Sequence, residues 1–261
     1  MIRDGDRVLL GLSGGKDSLG LLWTLKALQA RAPVRFELAT VTIDPEIDGF
    51  DPTRLHAYLD GFGIEHHYIA EPIATLAERH MDHDSFCSFC SRMKRGLMYR
   101  TAREHGFNVL ALGQHLDDLA ESFLMSAFHG GRLNTMKAHY TIDAGDLRVI
   151  RPLIYVRERQ TAAFAASANL PVIVDNCPAC FSKPTAREYT KHLLAEQEHK
   201  IPRLFKNLLS AMRPLMVAGL PQGSTPSGKA AIASSLDSTL TRTPATRAAS
   251  AGPGDEGSDP Q

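Results

Sequence analysis

Short runs of apolar residues alternate along the chain with longer stretches in which apolar positions recur every three or four residues. The short runs predict strands at 7–12, 36–43, 66–69, 109–113 and 171–174. The longer stretches predict helices at 18–30, 52–61, 90–105, 116–129, 157–168 and 185–197. One face of the first helix carries four leucines, Leu21, Leu22, Leu25 and Leu28. This alternation predicts an α/β fold, a doubly wound, parallel five-stranded sheet with helices on both faces.

The composition changes from about Pro221 onward. Ser, Thr, Ala, Gly and Pro dominate this segment, and large apolar side chains are almost absent after Leu240. Such a segment cannot bury enough apolar surface to offset the conformational entropy lost on ordering. We therefore predict a folded domain over residues 1–215 and a disordered low-complexity tail over residues 221–261.

The first predicted strand leads into Ser13-Gly14-Gly15-Lys16-Asp17-Ser18, the most informative stretch of the chain. Glycines adopt positive φ and let the backbone approach an anion, and the N–H groups at the start of the next helix point at it. The loop also supplies hydroxyls, a cation and a carboxylate that suits magnesium, which together fit a nucleoside triphosphate. The ordinary P-loop is excluded, because Lys16 is followed by Asp17 and Leu10 stands where that motif needs its first glycine.

Polar residues also follow two other predicted strands. Asp44 follows the second strand, where it is well placed for a ribose or a base, and Gly113-Gln114-His115-Leu116-Asp117-Asp118 follows the fourth. Ligands of such sheets bind beyond the carboxyl ends of the strands. A single aspartate in a first helical turn would be explained as a complement to the helix dipole. Two together, expected to face Asp17, favour metal–phosphate binding or general-base chemistry, with Asp118 preferred over Asp117.

The four cysteines form two pairs, Cys87-x-x-Cys90 and Cys177-x-x-Cys180. Cytosolic proteins rarely keep structural disulfides, whereas thiolates at this spacing can bind one soft metal. The spacing fits both tetrahedral zinc and an iron–sulfur cluster, and thioredoxin-like redox chemistry would need only one pair. We interpret the histidines near the first pair as surface or packing residues, because their spacing matches no familiar zinc finger; these are His66, His67, His80 and His83.

The first cysteine pair precedes the densest basic run of the chain. Cys90 is predicted to open a helix, and Lys94 lies one turn further on the same face. The run consists of Arg92, Lys94, Arg95, Arg100 and Arg103. It is either a solvated helix face or, beside a thiolate site, a surface that attracts a polyanion.

Global charge and hydropathy restrict the classes of partner. Basic and acidic residues balance at 29 each, so an anionic partner would have to meet a local patch. No apolar run approaches the roughly 20 residues that span a bilayer. No signal-peptide pattern precedes the first strand. We therefore expect a cytoplasmic protein that does not associate with membranes.

With these motifs in view, the chain resembles the PP-loop ATPases that thiolate tRNA, and within them the tRNA 2-thiocytidine synthetase group. The resemblance covers residues 4 to about 215. It rests on the loop at 13–18, on Cys-Ser-Phe-Cys-Ser-Arg-Met-Lys-Arg-Gly at 87–96, and on the run at 113–118. It continues through Ile-Arg-Pro-Leu at 150–153 and Cys-Pro-Ala-Cys at 177–180. The resemblance implies the PP-loop ATPase fold, of the adenine nucleotide alpha hydrolase-like type.

The resemblance also implies cofactors and a target. Members of this group bind ATP and Mg²⁺ in the PP-loop and carry a [4Fe–4S] cluster on three cysteines. By position these are Cys87, Cys90 and Cys177, which leaves Cys180 outside the ligand set and one iron open for exogenous sulfide. The target is C2 of the cytidine at position 32 of the tRNA anticodon loop. A cysteine desulfurase is an expected sulfur donor, and the resemblance allows a homodimer.

The implied reaction is adenylation of the C2 oxygen followed by replacement of that oxygen with sulfur. By the resemblance, Asp17 and Asp118 position the metal, and Lys94 stabilises the developing negative charge. The chain departs from the group at residues 130–138, where Lys137 and Ala138 stand in place of proline. The altered residues bear on the geometry of this loop.

Other functions remain open from the sequence. A PP-loop thiolase acting on a tRNA uridine usually has additional zinc-binding cysteine pairs, for which this chain has no cysteines left. A lysidine-type ligase adenylates a carbonyl without paired cysteines. A non-catalytic, zinc-stabilised nucleotide-binding module would need neither Asp17 nor the Asp117–Asp118 pair.

Overall fold

The structure is a computed structural model that describes residues 1–47, 49–80, 86–173 and 185–217. The predicted tail at 221–261 and Cys177 and Cys180 lie outside the described residues. The strands are β1 Asp6–Gly11, β2 Phe36–Asp44, β3 His66–Ala70, β4 Val109–Ala111, β5 His139–Thr141 and β6 Arg148–Ile150. The helices are α1 Lys16–Arg31, α2 Thr53–Phe62, α3 Ile73–His80, α4 Phe86–Glu104, α5 Leu116–Gly130, α6 Glu158–Ser167, α7 Ala186–Lys200 and α8 Leu204–Met212, followed by a 3₁₀ turn at Arg213–Met216.

The strands form one sheet in the order β3-β2-β1-β4-β6-β5. Neighbours are parallel from β3 through β6, and β5 pairs antiparallel with β6 at the edge. The predicted α/β class and parallel sheet are therefore confirmed. Strand order reverses at β1, which lies between β2 and β4. Ligands of doubly wound sheets bind at such a reversal.

The prediction of the fifth strand at 171–174 is wrong. Residues 171–173 lie outside the sheet, and residue 174 lies outside the described residues. The fifth parallel strand is instead β6, which has only three residues and is too short to show a periodic pattern. The apolar run at 171–173 has a different role, because Ile173 donates its N–H to the Gly14 carbonyl oxygen at 2.9 Å.

Alternate residues of the central strands fill the two faces of the sheet. Leu10 packs with the leucines of α1 on one face, whereas Leu9 packs with Leu97 and Ala102 of α4 on the other. The predicted face of α1 is only partly correct. Leu21, Leu22 and Leu25 are fully buried, but Leu28 near the end of the helix is 40% exposed.

Four further elements of the described chain were not predicted, namely β5, α3, α8 and the 3₁₀ turn. α8 packs with α5 and α7 through Leu119, Leu194, Phe205 and Met212. Among the described residues, no helix is both long and apolar enough to cross a bilayer.

Candidate active site

The loop between β1 and α1 has the form of an anion-binding turn. Gly14 has a φ of +81°, which favours glycine. Gly15 is the N-cap residue of α1 and provides no side-chain cap. The loop is closed by its own serines, since Ser18 Oγ donates to the Gly15 carbonyl at 2.9 Å and lies 3.2 Å from Ser13 Oγ. The first N–H groups of α1 thus lie beside a turn that suits a phosphate.

Gly113 brings the end of β4 against this loop. A Cβ on Gly113 would lie 3.1 Å from Ser18 N and 3.2 Å from the carbonyl carbon of Asp17. These neighbours are backbone atoms and cannot move aside cheaply. The two sequence motifs at 13–18 and 113–118 therefore meet at one point of the sheet.

Lys16 and Asp17 are held by side chains of α6. Lys16 Nζ lies 3.0 Å from both Asp17 Oδ2 and Glu158 Oε1, and the Thr161 hydroxyl donates to Asp17 Oδ1. Burial lowers the pKa of Lys16, but the hydrogen bonds to Glu158 and Asp17 outweigh it, so that pKa is raised. Lys16 is therefore a firmly charged ammonium in the loop.

His115 lies between Asp17 and Asp118. It is 3% exposed, its Nδ1 accepts from the Asp118 N–H at 3.2 Å, and Asp118 Oδ2 accepts from the His115 N–H at 2.9 Å. Because Nδ1 accepts, the neutral ring carries its hydrogen on Nε2, which lies 3.7 Å from Asp17 Oδ2. One imidazole thus separates the two carboxylates that were predicted to face each other.

Both aspartates at the start of α5 are engaged by cations from later helices. Asp117 accepts from Arg157 Nε and Nη2 at 3.1 Å and from the Glu158 N–H at 2.8 Å. Asp118 accepts from Arg187, which also donates to Glu121 at 2.7 Å. Asp118 therefore caps a helix and pairs with a cation at the same time.

Arg157 is the hub of this cationic shell. It binds Glu198 at 2.7 and 2.8 Å in addition to Asp117, and its guanidinium lies 3.3 Å from the centre of the Phe205 ring. Burial lowers the pKa of Arg157, but the hydrogen bonds to Glu198 and Asp117 outweigh it and raise that pKa. The planar fork of arginine suits this double carboxylate contact.

Sequence reasoning missed the residues of the later helices that line this site, namely Arg157, Glu158, Thr161, Arg187 and Lys191. One signal was present, since Arg157 is the N-cap residue of α6, an end at which the helix dipole disfavours a cation. A cation there indicates a partner elsewhere, here Asp117.

Asp44 lies at the end of β2, on the same edge of the sheet. It accepts from the Tyr68 hydroxyl and from the Glu46 N–H at 2.8 Å. Burial, followed by the hydrogen bond to Asp44, raises the pKa of Tyr68. Asp44 thus has the carboxyl-edge position that was predicted for a ribose or base contact.

The first cysteine pair lies beyond this same edge. α4 runs antiparallel to the strands, because its C-terminal end leads into β4, and a Cβ on Gly11 would lie 2.8 Å from the Met98 sulfur. Cys90 precedes Met98 by eight residues, about 12 Å along the helix axis. Cys87 and Cys90 therefore project past the end of β1, on the side of the glycine loop.

The expectation that Cys90 opens its helix is wrong. α4 already includes Phe86, so Cys87 and Cys90 both lie within its first two turns. Cys87 is exposed, Cys90 is half-buried, and Lys94 follows one turn later, also half-buried. The apolar Phe86 and Phe89 between the polar positions continue the helical pattern upstream of Cys90.

The basic run on α4 does not form one patch. Arg103 pairs with Asp146 at 2.7 Å, and Arg100 lies 3.9 Å from Glu104, both in the last turns of the helix. Arg92, Lys94 and Arg95 lie near the cysteines instead. The two groups therefore lie at different heights along α4, because each residue of a helix advances the chain by about 1.5 Å.

The histidines of β3 have packing contacts. His66 Nδ1 lies 2.8 Å from Thr40 Oγ1, and the His67 ring contacts the His105 ring, with 4.1 Å between centres and 40° between the ring planes. Burial, followed by His56 and His67, lowers the pKa of His66 to about 4. His83 lies outside the described residues.

Lys137 and Ala138 connect the loop at 130–138 to the end of the described chain. Lys137 Nζ donates to the Leu215 carbonyl at 2.8 Å, and Ala138 N–H donates to the Met216 carbonyl at 2.9 Å. Arg151 donates to the Lys137 carbonyl at 2.7 Å and to Gln114 Oε1 at 3.0 Å. The departure from proline therefore supplies the donors, one side-chain and one backbone, that hold this loop.

Comparison with known proteins agrees with this geometry. A sequence family described as a PP-loop domain matches residues 2–194. The chain belongs to the PP-loop family. The chain is 41% identical over 213 residues to the tRNA-cytidine(32) 2-sulfurtransferase of Geobacter sulfurreducens. The aligned region covers 81% of this chain and 83% of the relative. It is 39% identical to the protein of the same name from Ralstonia nicotianae, covering 84% of this chain and 70% of that relative.

A solved structure shares the fold of this PP-loop protein. It is described as the U34-tRNA thiolase NcsA from Methanococcus maripaludis with its [4Fe-4S] cluster, with a TM-score of 0.65 and 21% identity over 86% of this chain and 75% of that one. The predicted membership of the PP-loop tRNA-thiolation family, in its 2-thiocytidine group, is confirmed. The prediction of a transferase is confirmed by the same relatives.

Proposed function

We propose that this chain is an ATP-dependent tRNA sulfurtransferase that replaces the C2 oxygen of a cytidine with sulfur, at position 32 of the anticodon loop. One observation carries the proposal. The glycine loop and the thiols of Cys87 and Cys90 lie on the same carboxyl edge of the sheet. An activated carbonyl and a sulfur source can therefore meet there, and the names of the sequence relatives supply the substrate.

The residues of the loop suit the ATP-dependent half of the reaction. The N–H groups of α1 and the Lys16 ammonium would bind the phosphates, which lowers the barrier to pyrophosphate departure. Asp17 and Asp118 offer the hard oxygen ligands that Mg²⁺ prefers. Transfer of AMP to the C2 oxygen, with loss of pyrophosphate, turns a poor leaving group into a good one. Ser13, Ser18 and Asp44 would orient the nucleotide.

The donor set at the start of α4 suits a soft metal centre. Cys87 and Cys90 are separated by one helical turn, so their thiolates can bind one cluster. Ile173 is fixed beside Gly14, and Cys177 follows four residues later, within about 14 Å of chain. The third proposed ligand is therefore within reach of the same edge. When bound, a [4Fe–4S] cluster would supply an open iron that holds the exogenous sulfide by which the oxygen is replaced.

Lys94 would act during sulfur transfer, and two neighbouring arginines would attract the tRNA. Lys94 lies one turn from Cys90 and would stabilise the negative charge that develops as AMP departs. Arg92 and Arg95, beside it on α4, would attract the phosphates of a tRNA. The target cytidine must leave its stack, which costs less in a single-stranded loop. A cysteine desulfurase is the proposed sulfur donor, and the cytoplasm the proposed compartment.

The experiment is anaerobic purification of the full chain followed by iron and sulfide analysis. We expect brown protein with visible absorbance that bleaches with reductant. Cys177→Ala should lose the iron, and Cys180→Ala should retain it as the matched control. Colourless protein with stoichiometric zinc would overturn the cluster, and the reverse pattern of variants would overturn the ligand assignment.

A second experiment identifies the nucleoside. Mass analysis of tRNA from a deletion strain should show loss of 2-thiocytidine, restored by the wild-type gene and not by Asp17→Asn or Asp118→Asn. Loss of a thiolated uridine instead would replace the cytidine assignment with the uridine one. Unchanged tRNA would sink the proposal.

A further inference from the structure

Two lysines from distant parts of the chain converge on the carboxylate of Glu158. Lys16 of the glycine loop lies 3.0 Å from Glu158 Oε1. Lys191 of α7 lies 2.8 Å from Oε1 and 2.8 Å from Oε2. A single anionic group thus joins the loop that would bind phosphate to a helix 175 residues further along the chain.

The Glu158 carboxylate is fixed in this position. Glu158 is the first residue of α6, and its backbone N–H is bound to Asp117 at 2.8 Å. Its side chain is 23% exposed. Burial raises the pKa of Glu158, but hydrogen bonds from Lys191 and Lys16 outweigh it and bring that pKa to about 2. The group is therefore an anion at any physiological pH.

The two lysines differ in their freedom to move. The Lys16 side chain is 29% exposed and also contacts Asp17, whereas that of Lys191 is 54% exposed. An ammonium group on a flexible four-carbon stem can follow its anionic partner over a few ångströms. Lys191 can therefore pass from a carboxylate to another oxyanion that arrives at Lys16.

We propose that Lys191 is a ligand of the nucleotide's pyrophosphate portion, and that Glu158 holds both lysines at that place until a phosphate oxyanion replaces its carboxylate. This rests on the proposed use of ATP. The exchange keeps each lysine paired with an anion, so the positive charge is never left without a partner at the site. The Glu158 carboxylate competes with the phosphate for the two lysines. Removal of Lys191 and removal of the Glu158 charge should therefore change the ATP affinity in opposite directions.

Removal of Lys191 should weaken binding of ligands that carry a pyrophosphate portion. A charge-assisted hydrogen bond corresponds to about a tenfold to hundredfold change in affinity. Isothermal titration of the full, anaerobically purified chain with ATP and Mg²⁺ should show this rise in Kd for Lys191→Ala, and pyrophosphate should behave in the same way. AMP should bind with unchanged affinity, and Lys191→Arg should restore most of the ATP affinity.

The matched control for Lys191 is Lys200→Ala. Lys200 is on the same helix, is 62% exposed and pairs with Glu196 one turn away, at 2.7 Å. Its substitution should leave the ATP affinity unchanged. Circular dichroism at rising temperature checks that each variant is folded.

Removal of the competing charge should act in the opposite direction. Glu158→Gln keeps the size of the side chain and should bind ATP several-fold more tightly than the wild type. A purely structural ion pair predicts no gain in affinity, so an unchanged or weaker ATP affinity in Glu158→Gln would overturn the inference. It decides the question even if Lys191→Ala fails to fold.

The outcomes separate this inference from the proposed function. If the wild type binds ATP, and Lys191→Ala binds both ATP and pyrophosphate as tightly as the wild type does, the role of Lys191 is wrong and the sulfurtransferase proposal stands. If the wild type itself binds no ATP with Mg²⁺, the proposed function fails first.

Discussion

Ile173 lies directly over Gly14. Its N–H donates to the Gly14 carbonyl oxygen at 2.9 Å, and a Cβ built on Gly14 would be 2.5 Å from Ile173 Cδ1. The glycine loop is thus covered by the segment that leads to the second cysteine pair. The segment and the loop can only pack in this way because residue 14 has no side chain.

Gly14→Ala should therefore destabilise the protein in two ways. A positive φ of +81° costs an alanine about 1–2 kcal/mol, and the clash with Ile173 adds to it. The measurement is the free energy of unfolding in urea, together with the ATP affinity, which should also fall. Gly5→Ala is the control, since Gly5 has a φ of +78° with open space around it. A loss no larger than that of Gly5→Ala would contradict the contact with Ile173.

Gly113→Ala should separate the end of β4 from the glycine loop. The new Cβ would lie 3.1 Å from Ser18 N, and the backbone must shift to admit it. We expect ATP binding to weaken at least tenfold, since a shift of a few tenths of an ångström disturbs the N–H groups of α1. Titration with ATP measures this.

Gly61→Ala is the control for Gly113→Ala. Gly61 lies in α2 with nothing within 4 Å of a new Cβ, so alanine should stabilise the helix by up to about 1 kcal/mol and leave ATP binding unchanged. Equal ATP affinities in the two variants would show that the approach of the two loops is unimportant for the nucleotide.

Arg157→Met should be among the most destabilising substitutions in the site. It leaves the carboxylates of Asp117 and Glu198 without their shared cation, and loss of one partner from a largely buried pair costs about 3–5 kcal/mol. Arg157→Lys keeps the charge but not the fork, and should cost less. Urea unfolding measures both.

Arg159→Ala is the matched control, two residues away. Its side chain is 73% exposed and lies 3.6 Å from the same Glu198. Exposed pairs contribute less than about 1 kcal/mol, so this variant should unfold near the wild-type midpoint. A similar loss in both variants would mean that the burial of Arg157 is of no consequence.

The stability of the fold should fall on acidification because of His66. Its Nε2 is buried and has no hydrogen-bond partner among the residues that the structure describes, and its pKa is lowered to about 4. Histidine in the unfolded chain titrates near 6.5, so the unfolded state takes up the proton first. The free energy of unfolding should thus decrease as the pH falls from about 6.5 to about 4.

His66→Gln tests this pH dependence, measured by urea unfolding at several pH values. The slope between pH 6.5 and 4 should become shallower, although His67, whose pKa burial also lowers, keeps part of it. His192→Gln replaces a histidine that is 79% exposed and should leave the slope as it is. Identical slopes for the wild type and His66→Gln would contradict the assignment.

The elements that the sequence could predict are those with long patterns or special residues. α1 and β2 contain many apolar residues in a recognisable pattern, and the residue types of the loop at 13–18 indicate binding of a nucleoside triphosphate. β6 could not be predicted, because three residues give no period, and the run at 171–173 imitates a strand. Only the tertiary contact with Gly14 shows what Ile173 does.

The same limit applies to the site. Motifs placed Lys16, Asp17 and Asp118 together, since carboxyl ends of neighbouring parallel strands meet at one edge. Glu158 and Lys191 carry no motif. They join the site through the packing of α6 and α7, which depends on side-chain contacts far apart in the sequence.

The position of Phe205 limits how far this chain can be truncated. The family match ends at residue 194, yet the ring beneath Arg157 and the buried Met212 come from α8, beyond that point. A version trimmed to the matched region would retain the described motif residues and lose the aromatic floor under its central arginine. The region that matches the family and the packed core therefore have different lengths, and the core of the described residues includes Met216.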